Sequence, residues 1–174
     1  MPKLRRMLGD IYSPECTALM RLIETQSKET LGKWALGYAT ENYLPIYEAA
    51  FPEDRRLREA AELCGKFFVG EAKLAEIKPA LKAARETAAQ TEAEPARAAA
   101  RAVATAFAAV QTPTNAFGFL LYGAAAAAYS AAGLLESPEI YDELGTKELR
   151  RALSSLEAAA VKNEKNPAKI NWNC

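Results

Sequence analysis

Apolar residues recur along most of this chain at the three- and four-residue spacing of amphipathic helices. The runs are separated by proline, glycine, serine and threonine at positions typical of helix ends. Ser13 with Pro14, and Ser137 with Pro138, each predict an N-cap residue followed by the first residue of a helix. The pattern therefore predicts an all-α fold: a single domain over residues 1–174, built as a bundle of about seven or eight helices.

Proline and glycine also predict where helices break. Pro45 should kink or restart a helix because its ring displaces the preceding turn, and Pro79 should interrupt another helical stretch. Gly145 and Thr146 should separate a short helix from the last one of the bundle. The polar residues 162–174 predict an extended C-terminal tail.

The most uniform segment lies in the second half of the chain. No charged residue occurs between Arg101 and Glu136, and the stretch from Ala116 to Leu135 is mostly alanine and glycine. That stretch is long enough to span a bilayer, which takes about 20 residues. Its large apolar side chains, however, lie only at its two ends. We therefore predict no membrane span but a buried central Ala-rich helix, whose small side chains let neighbouring helices approach closely.

Composition supports the helical prediction and limits the partners. Half of the residues are hydrophobic and a quarter are charged, which excludes intrinsic disorder. Alanine, the strongest helix former, is in excess, whereas valine is sparse. Lys plus Arg and Asp plus Glu both number 22. We therefore expect no nucleic-acid partner, because proteins that neutralise phosphates usually carry a basic excess.

The missing residue types restrict the chemistry further. The chain contains no histidine, which removes Ser-His-Asp and Cys-His catalytic sites and His-ligated zinc. The three cysteines, Cys16, Cys64 and Cys174, cannot supply the four ligands of an all-thiolate metal site. Their odd number and wide spacing are typical of reduced thiols in the cytosol. The first residues also lack the apolar segment of a secretory signal. We therefore predict a cytoplasmic protein with no cofactor, no metal and no catalytic residue.

Two of the candidate binding groups are aromatic or charged. Trp34 and Tyr38 lie at helical spacing, where core packing is the default interpretation, but both residue types also suit a half-buried interface. Asp54, Arg55 and Arg56 belong to the most concentrated charge cluster in the chain. The acid suits a helix N-terminus, and an arginine could bind a partner's carboxylate through two hydrogen bonds.

A third candidate group lies in a polar break between two apolar helices. Helix capping explains Thr112 and Thr114 of this break. It does not explain Gln111 and Asn115 fully, and we therefore add these two residues to the candidates for binding a partner or ligand.

Four segments carry a family resemblance: WALGYA at 34–39, LPIYE at 44–48, PEDRRLREA at 52–60, and VQTPTNA at 110–116, which leads into LY at 121–122. In these segments the chain resembles the Imm-five-like family of immunity proteins, over roughly residues 28–130. The resemblance implies an all-helical bundle that acts as the antidote to a bacterial toxin. Some relatives also carry the label of an exonuclease subunit. The resemblance implies no catalytic residues.

These observations predict a non-catalytic protein-binding module, of the immunity type that neutralises a bacterial toxin. The partner is then a protein, and the aromatic or alanine-rich faces would also allow a homodimer. One alternative remains open, because carboxylates are plentiful. It is a small-molecule- or metal-dependent enzyme that uses Asp and Glu side chains in a pocket between helices.

Overall fold

The computed structural model describes residues 3–173; Met1, Pro2 and Cys174 lie outside the described residues. The described part contains eight helices and no strand, which confirms the all-α prediction. They are α1 (Pro14–Ile23), α2 (Lys28–Asn42), α3 (Leu44–Ala50), α4 (Arg56–Phe68), α5 (Leu74–Gln90), α6 (Ala96–Ala108), α7 (Asn115–Ala132) and α8 (Pro138–Ala159).

The helices begin and end largely where local sequence signals place them. Ser13, Ser27 and Ser137 cap α1, α2 and α8, since each serine Oγ accepts a hydrogen bond from the backbone N–H three residues later over 3.1–3.4 Å. A cap of this kind contributes about 1 kcal/mol to helix stability. Pro45 lies in the first turn of α3, directly after α2 ends, as predicted. Gly70 follows α4 with a φ of +79°, a conformation that favours glycine.

The predicted break at Gly145 and Thr146 is wrong, because α8 runs through both residues without interruption. Gly145 serves packing instead: a Cβ built on it would lie 3.1 Å from the Cβ of Leu8 in the N-terminal segment. The Leu8 backbone N–H donates to the Leu121 carbonyl over 3.0 Å and fixes this close approach. The helix α5 likewise continues through Pro79.

The Ala-rich helix α7 lies at the centre of the bundle, as predicted. It packs on α6 along one side and on α8 along another, and α2 crosses it. The helices α4 and α5 pack on each other, and both contact α6. The facing surfaces of α6 and α7 are mostly alanine, and these alanines are buried. Between residues 3 and 173 no helix combines the length and apolarity that crossing a membrane requires.

After α8 the chain turns back toward the connection between α1 and α2. Residues 160–173 form no helix there. Pro167 pairs with Ser27 in an isolated antiparallel bridge, and the Ala168 N–H donates to the Gln26 carbonyl over 2.8 Å.

Candidate functional site

A buried carboxylate lies at the polar centre of the bundle. Glu148, in the middle of α8, is only 5% exposed. Its Oε2 accepts hydrogen bonds from the hydroxyls of Tyr38 (2.8 Å) and Tyr43 (2.6 Å). Its Oε1 accepts from Arg151, whose Nε and Nη2 lie 2.8 and 2.7 Å away. Both carboxylate oxygens are therefore occupied and the charge is compensated, as a buried acid requires.

Four aromatic rings form one cluster beside this carboxylate. Trp34, Tyr38, Tyr43 and Phe119 have ring centroids 5.4–6.3 Å apart, mostly edge to face. The Trp34 indole N–H donates to Ser155 Oγ on α8 over 3.1 Å. The structure thus brings the candidate residues Trp34 and Tyr38 together, and it places both in the interior, at 7% and 6% exposure.

Burial, reinforced by the negative charge of Glu148, raises the pKa of Tyr38 and Tyr43 well above the ordinary tyrosine range. Both hydroxyls therefore remain protonated at neutral pH and act as hydrogen-bond donors. They hold the carboxylate and are not poised to take up a proton from a substrate.

We expect this pair of tyrosines to make the fold sensitive to alkaline pH. Above the ordinary tyrosine pKa of about 10, the unfolded chain has released protons that the folded chain still holds. The free energy of unfolding should therefore fall as pH rises, by about 1.4 kcal/mol per pH unit for each tyrosine. Urea unfolding between about pH 10 and 11.5 should show a shallower decline in Tyr43→Phe, which lacks one of the two groups.

The control for that measurement is Tyr12→Phe, since Tyr12 lies in the N-terminal segment before α1, is 86% exposed and makes no contact with Tyr38, Tyr43 or Glu148 among the described hydrogen bonds. It should decline with pH as the unmodified chain does. An identical slope in Tyr43→Phe would contradict the assignment of the alkaline transition to the buried pair.

A groove of about 250 Å³ opens between α7 and α8 beside Glu148. Its walls carry two cationic side chains, Lys147 and Arg151, and the small side chains of Ala127 and Ala131. Glu148 is the one carboxylate that lines it, and this acid is already held by three donors. The groove therefore lacks the converging Asp and Glu side chains that a carboxylate enzyme needs.

Asp54 and Arg56 form a second polar cluster, at the start of α4. The Arg56 guanidinium contacts Asp54 Oδ2 at 2.8 Å and Oδ1 at 3.0 Å, and it donates to Gln90 Oε1 at 2.8 Å. Asp54 also accepts from the Tyr47 hydroxyl over 2.6 Å. Hydrogen bonds from Arg56 hold the pKa of the Asp54 carboxyl well below its usual range. The cluster thus ties the beginning of α4 to α3 and to the end of α5.

The remaining charged candidate, Arg55, points away from this cluster. Its side chain is 58% exposed, and its nearest acid is Glu62, whose Oε1 lies 3.6 Å away. Exposed ion pairs of this kind contribute little to stability. Arg55 is thus held far more loosely than Asp54 and Arg56.

The polar break lies on the α2 side of the bundle. Gln111 follows α6 and Asn115 begins α7, and both are half-buried. Phe119, one turn after Asn115, packs on Trp34 with centroids 5.4 Å apart. Capping by the threonines is not observed: Thr114 is the N-cap residue of α7, but its side chain makes no capping hydrogen bond.

The three candidate groups remain separate in the fold. Among residues 3–173, no hydrogen bond, ion pair or ring contact joins the pair on α2, the cluster at the start of α4 and the polar break to one another. They therefore do not form one site.

Sequence reasoning missed an apolar pocket of about 400 Å³ at one end of the bundle. Phe67 and Phe68 from the end of α4, Leu74 from α5 and Val110 after α6 line it, together with Lys28 and Glu29 at the start of α2. The two phenylalanines are half-buried. The side chain of Val69, which follows them directly, is 69% exposed.

A signal for this pocket is present in the sequence. Phe67, Phe68 and Val69 are consecutive large apolar residues at a helix end, and three consecutive positions span too much of a helix circumference to face one core. Gly32 on α2 makes room for the second ring, because a Cβ there would lie 2.7 Å from Phe68 Cζ. This close approach brings α4 against α2, and the sequence of neither helix alone predicts it.

Two cysteine thiols lie in the interior. Cys16 and Cys64 are buried and free, on α1 and α4 respectively. Burial raises the pKa of both thiols, that of Cys64 to about 11. Both therefore remain protonated and unreactive at neutral pH. The described residues also contain no group of three or more Cys, Asp and Glu side chains placed to hold a metal ion.

Comparison with known proteins gives one match. No curated protein and no solved structure matches the chain significantly. A family model described as "Imm-5 like putative immunity protein" matches residues 21–159. The match runs from the end of α1 to the end of α8 and includes the aromatic cluster, Glu148 and the apolar pocket. The chain therefore belongs to the family of Imm-5 like putative immunity proteins.

Proposed function

We propose that this chain is a non-catalytic, cytoplasmic protein-binding module that neutralises a bacterial toxin by binding it. The observation that carries the proposal is the family match over residues 21–159. The geometry supports it, because the acids best placed for chemistry are already engaged within the chain: Glu148 by two tyrosines and Arg151, and Asp54 by Arg56.

The surface best suited to a protein partner is the apolar pocket lined by Phe67, Phe68, Leu74 and Val110. Clustered exposed apolar side chains often mark interaction sites. Interfaces typically combine an apolar centre with a polar rim, and here Lys28 and Glu29 supply the rim. We assign the pocket to an apolar or aromatic anchor side chain of the toxin, since such anchors carry most of the binding free energy.

The residues proposed from sequence then have different parts in recognition. Gln111 directly follows Val110 and extends the polar rim of the pocket. Arg55 lies at the other end of α4, about 20 Å away at the helical rise per residue, and would offer its guanidinium to a carboxylate on the toxin. Trp34 and Tyr38 would support the surface from inside, by holding α2 against α7 and α8.

We expect the double change Val69→Glu and Leu74→Glu to weaken toxin binding by roughly 30-fold or more, since it places one charge in the pocket lining, at Leu74, and another directly after Phe68, at Val69. Both side chains are exposed, at 69% and 39%, so the fold should tolerate the change. The measurements are calorimetric binding to the product of the neighbouring gene as the candidate toxin, and growth rescue on co-expression with it.

Leu135→Glu is the matched control, because Leu135 is 78% exposed and lies between α7 and α8, away from the pocket. It should bind and rescue as the unmodified chain does. Equal binding by all three chains would contradict the assigned surface. An unmodified chain that neither binds nor rescues would contradict the toxin-neutralising function itself.

A further inference from the structure

The C-terminal segment 160–173, here named the tail strap, is bound by the connection between α1 and α2. The side-chain amide of Gln26 pairs with the backbone of Val161: Oε1 accepts from the Val161 N–H over 2.8 Å, and Nε2 donates to the Val161 carbonyl over 3.1 Å. The Gln26 carbonyl accepts from the Ala168 N–H over 2.8 Å. Gln26, which is 2% exposed, thus forms hydrogen bonds to the strap backbone at two residues, Val161 and Ala168.

A carboxylate of the strap sits at the beginning of α2. Glu164 Oε2 accepts from the backbone N–H of Ser27 over 2.8 Å, and its Oε1 accepts from Ser27 Oγ over 2.7 Å and from the Thr30 hydroxyl. Backbone N–H groups at a helix start lack partners within the helix, and the helix dipole favours negative charge there. Two side-chain hydroxyls and one backbone amide therefore recognise a single acidic residue.

An aromatic ring makes the third contact. The Trp172 indole N–H donates to the carboxylate of Glu24, and the ring packs edge to face on Phe117 with centroids 5.8 Å apart. Phe117 belongs to the first turn of α7. The strap is thus bound through its backbone, one acidic residue and one aromatic residue, by groups from the α1–α2 connection, from α2 and from α7.

The strap resembles a bound peptide more than a part of the core. Each of its residues is exposed or only half-buried. It is attached by hydrogen bonds to Glu24, Gln26, Ser27 and Thr30, and by three side chains that pack against the core while staying partly exposed, those of Ala168, Ile170 and Trp172. It also lies outside the family match, which ends at residue 159. Extended peptides are commonly held in this manner, by backbone hydrogen bonds with a few side-chain anchors.

We propose that the α1–α2 connection, with the first turns of α2 and α7, is a peptide-binding site that the tail strap fills within its own chain. When the strap leaves, the site takes an extended segment of a partner protein with the same chemistry: an acidic residue, followed by an aromatic residue placed as Trp172 is relative to Glu164. The strap then competes with this partner, and the strength of its attachment sets the partner concentration at which binding occurs.

The test uses the isotopically labelled full-length chain with Glu164→Ala and Trp172→Ala, which weakens its own strap. An unlabelled peptide of residues 160–173 is the probe. We expect the peptide to shift the nuclear magnetic resonance signals of the Gln26 side-chain amide and of Ser27 and Thr30 toward their positions in the unmodified chain. The unmodified chain should not respond, because its tethered strap is present at an effective concentration of about millimolar.

Two altered peptides sharpen the result. A peptide with Glu164→Ala should bind about tenfold more weakly or worse, because it loses charge-assisted hydrogen bonds. A peptide with Lys169→Ala, a change at an exposed position, should bind as the unaltered peptide does. If the double variant does not fold, the single change Trp172→Ala in the labelled chain gives the same readout.

A folded variant whose signals do not move at saturating peptide would overturn the proposal. A variant that instead forms dimers by exchanging straps, seen as a doubled mass in light scattering, would assign the site to a second copy and overturn the assignment to a partner protein. Both outcomes are independent of toxin binding, so failure here and failure of the immunity function can be told apart.

Discussion

Replacing Gly123 by alanine should lower the free energy of unfolding by about 3 kcal/mol or more, at the upper end of overpacking effects. Gly123 lies on α7 directly beneath the ring of Tyr43, and a Cβ added there would overlap the Cζ, Cε2 and hydroxyl atoms of that ring. Tyr43 is fully buried and its hydroxyl is held by Glu148. The ring therefore cannot move aside without breaking the polar centre.

Gly118→Ala is the matched control, because Gly118 lies on the same helix with Thr105 Cγ2 as the nearest atom to an added Cβ, at 3.8 Å. Alanine is the better helix former, so this variant should be unchanged or more stable by about 0.5–1 kcal/mol. Urea unfolding at neutral pH compares the two. Equal stability of Gly123→Ala and Gly118→Ala would show that Tyr43 is not fixed against α7.

Replacing Glu148 by alanine should destabilise the fold by about 2–6 kcal/mol, because it leaves two buried hydroxyls without an acceptor, at about 1–3 kcal/mol each, whereas the Arg151 side chain is 57% exposed and water can solvate its charge. Two buried tyrosine hydroxyls, of Tyr38 and Tyr43, lose their acceptor, and Arg151 loses its counter-ion. Thermal or urea unfolding measures the loss. Glu143→Ala, an exposed acid on the same helix, should stay within about 0.5 kcal/mol of the unmodified chain.

A combined variant tests whether the stability lost in Glu148→Ala comes from the unpaired tyrosine hydroxyls. Glu148→Leu together with Tyr38→Phe and Tyr43→Phe removes the acid and both hydroxyl donors, so no tyrosine hydroxyl is left unpaired. It should recover a large part of the stability that Glu148→Ala loses. If Glu148→Ala unfolds no more easily than Glu143→Ala, the carboxylate does not organise the core.

The elements of this fold follow from local signals, which explains why most of them could be predicted. Ser13, Ser27 and Ser137 cap helices through atoms only three residues away. Pro45 acts on the turn directly before it. Alanine-rich α7 is central because uncharged, small side chains are stable only where other helices cover them. Each of these signals lies within one short stretch of sequence.

The polar centre could not be predicted, because its partners are far apart in sequence. Glu148 lies 110 positions from Tyr38 and 105 from Tyr43. A single glutamate in a polar helix has the pattern of a solvated face. The helix break predicted at Gly145 was wrong for the same reason. Its cause, the packing of Leu8 against this glycine, is a contact between residues far apart in sequence.

The candidate binding residues also show that local features could be predicted from the sequence and long-range contacts could not. Charge density indicated Asp54, Arg55 and Arg56 as candidates. In the structure Asp54 and Arg56 bind each other and Arg56 also binds Gln90, whereas Arg55 has only a long ion pair with Glu62. The contact with Gln90, on another helix, could not be predicted from the local sequence. Aromatic spacing singled out Trp34 and Tyr38, which lie inside. The consecutive Phe67, Phe68 and Val69 indicate that these side chains do not all face one core, but no local pattern shows that α2, α4, α5 and the end of α6 meet around them.

The central claim is that the chain acts by binding a toxin at the pocket lined by Phe67, Phe68, Leu74 and Val110. Amide hydrogen exchange of the chain, alone and mixed with the product of the neighbouring gene as the candidate toxin, tests this most directly. We predict slower exchange in the complex over residues 67–74 and 110–111, with little change at the α7–α8 groove around Lys147. Unchanged exchange over 67–74, with protection confined to that groove, would contradict the claim.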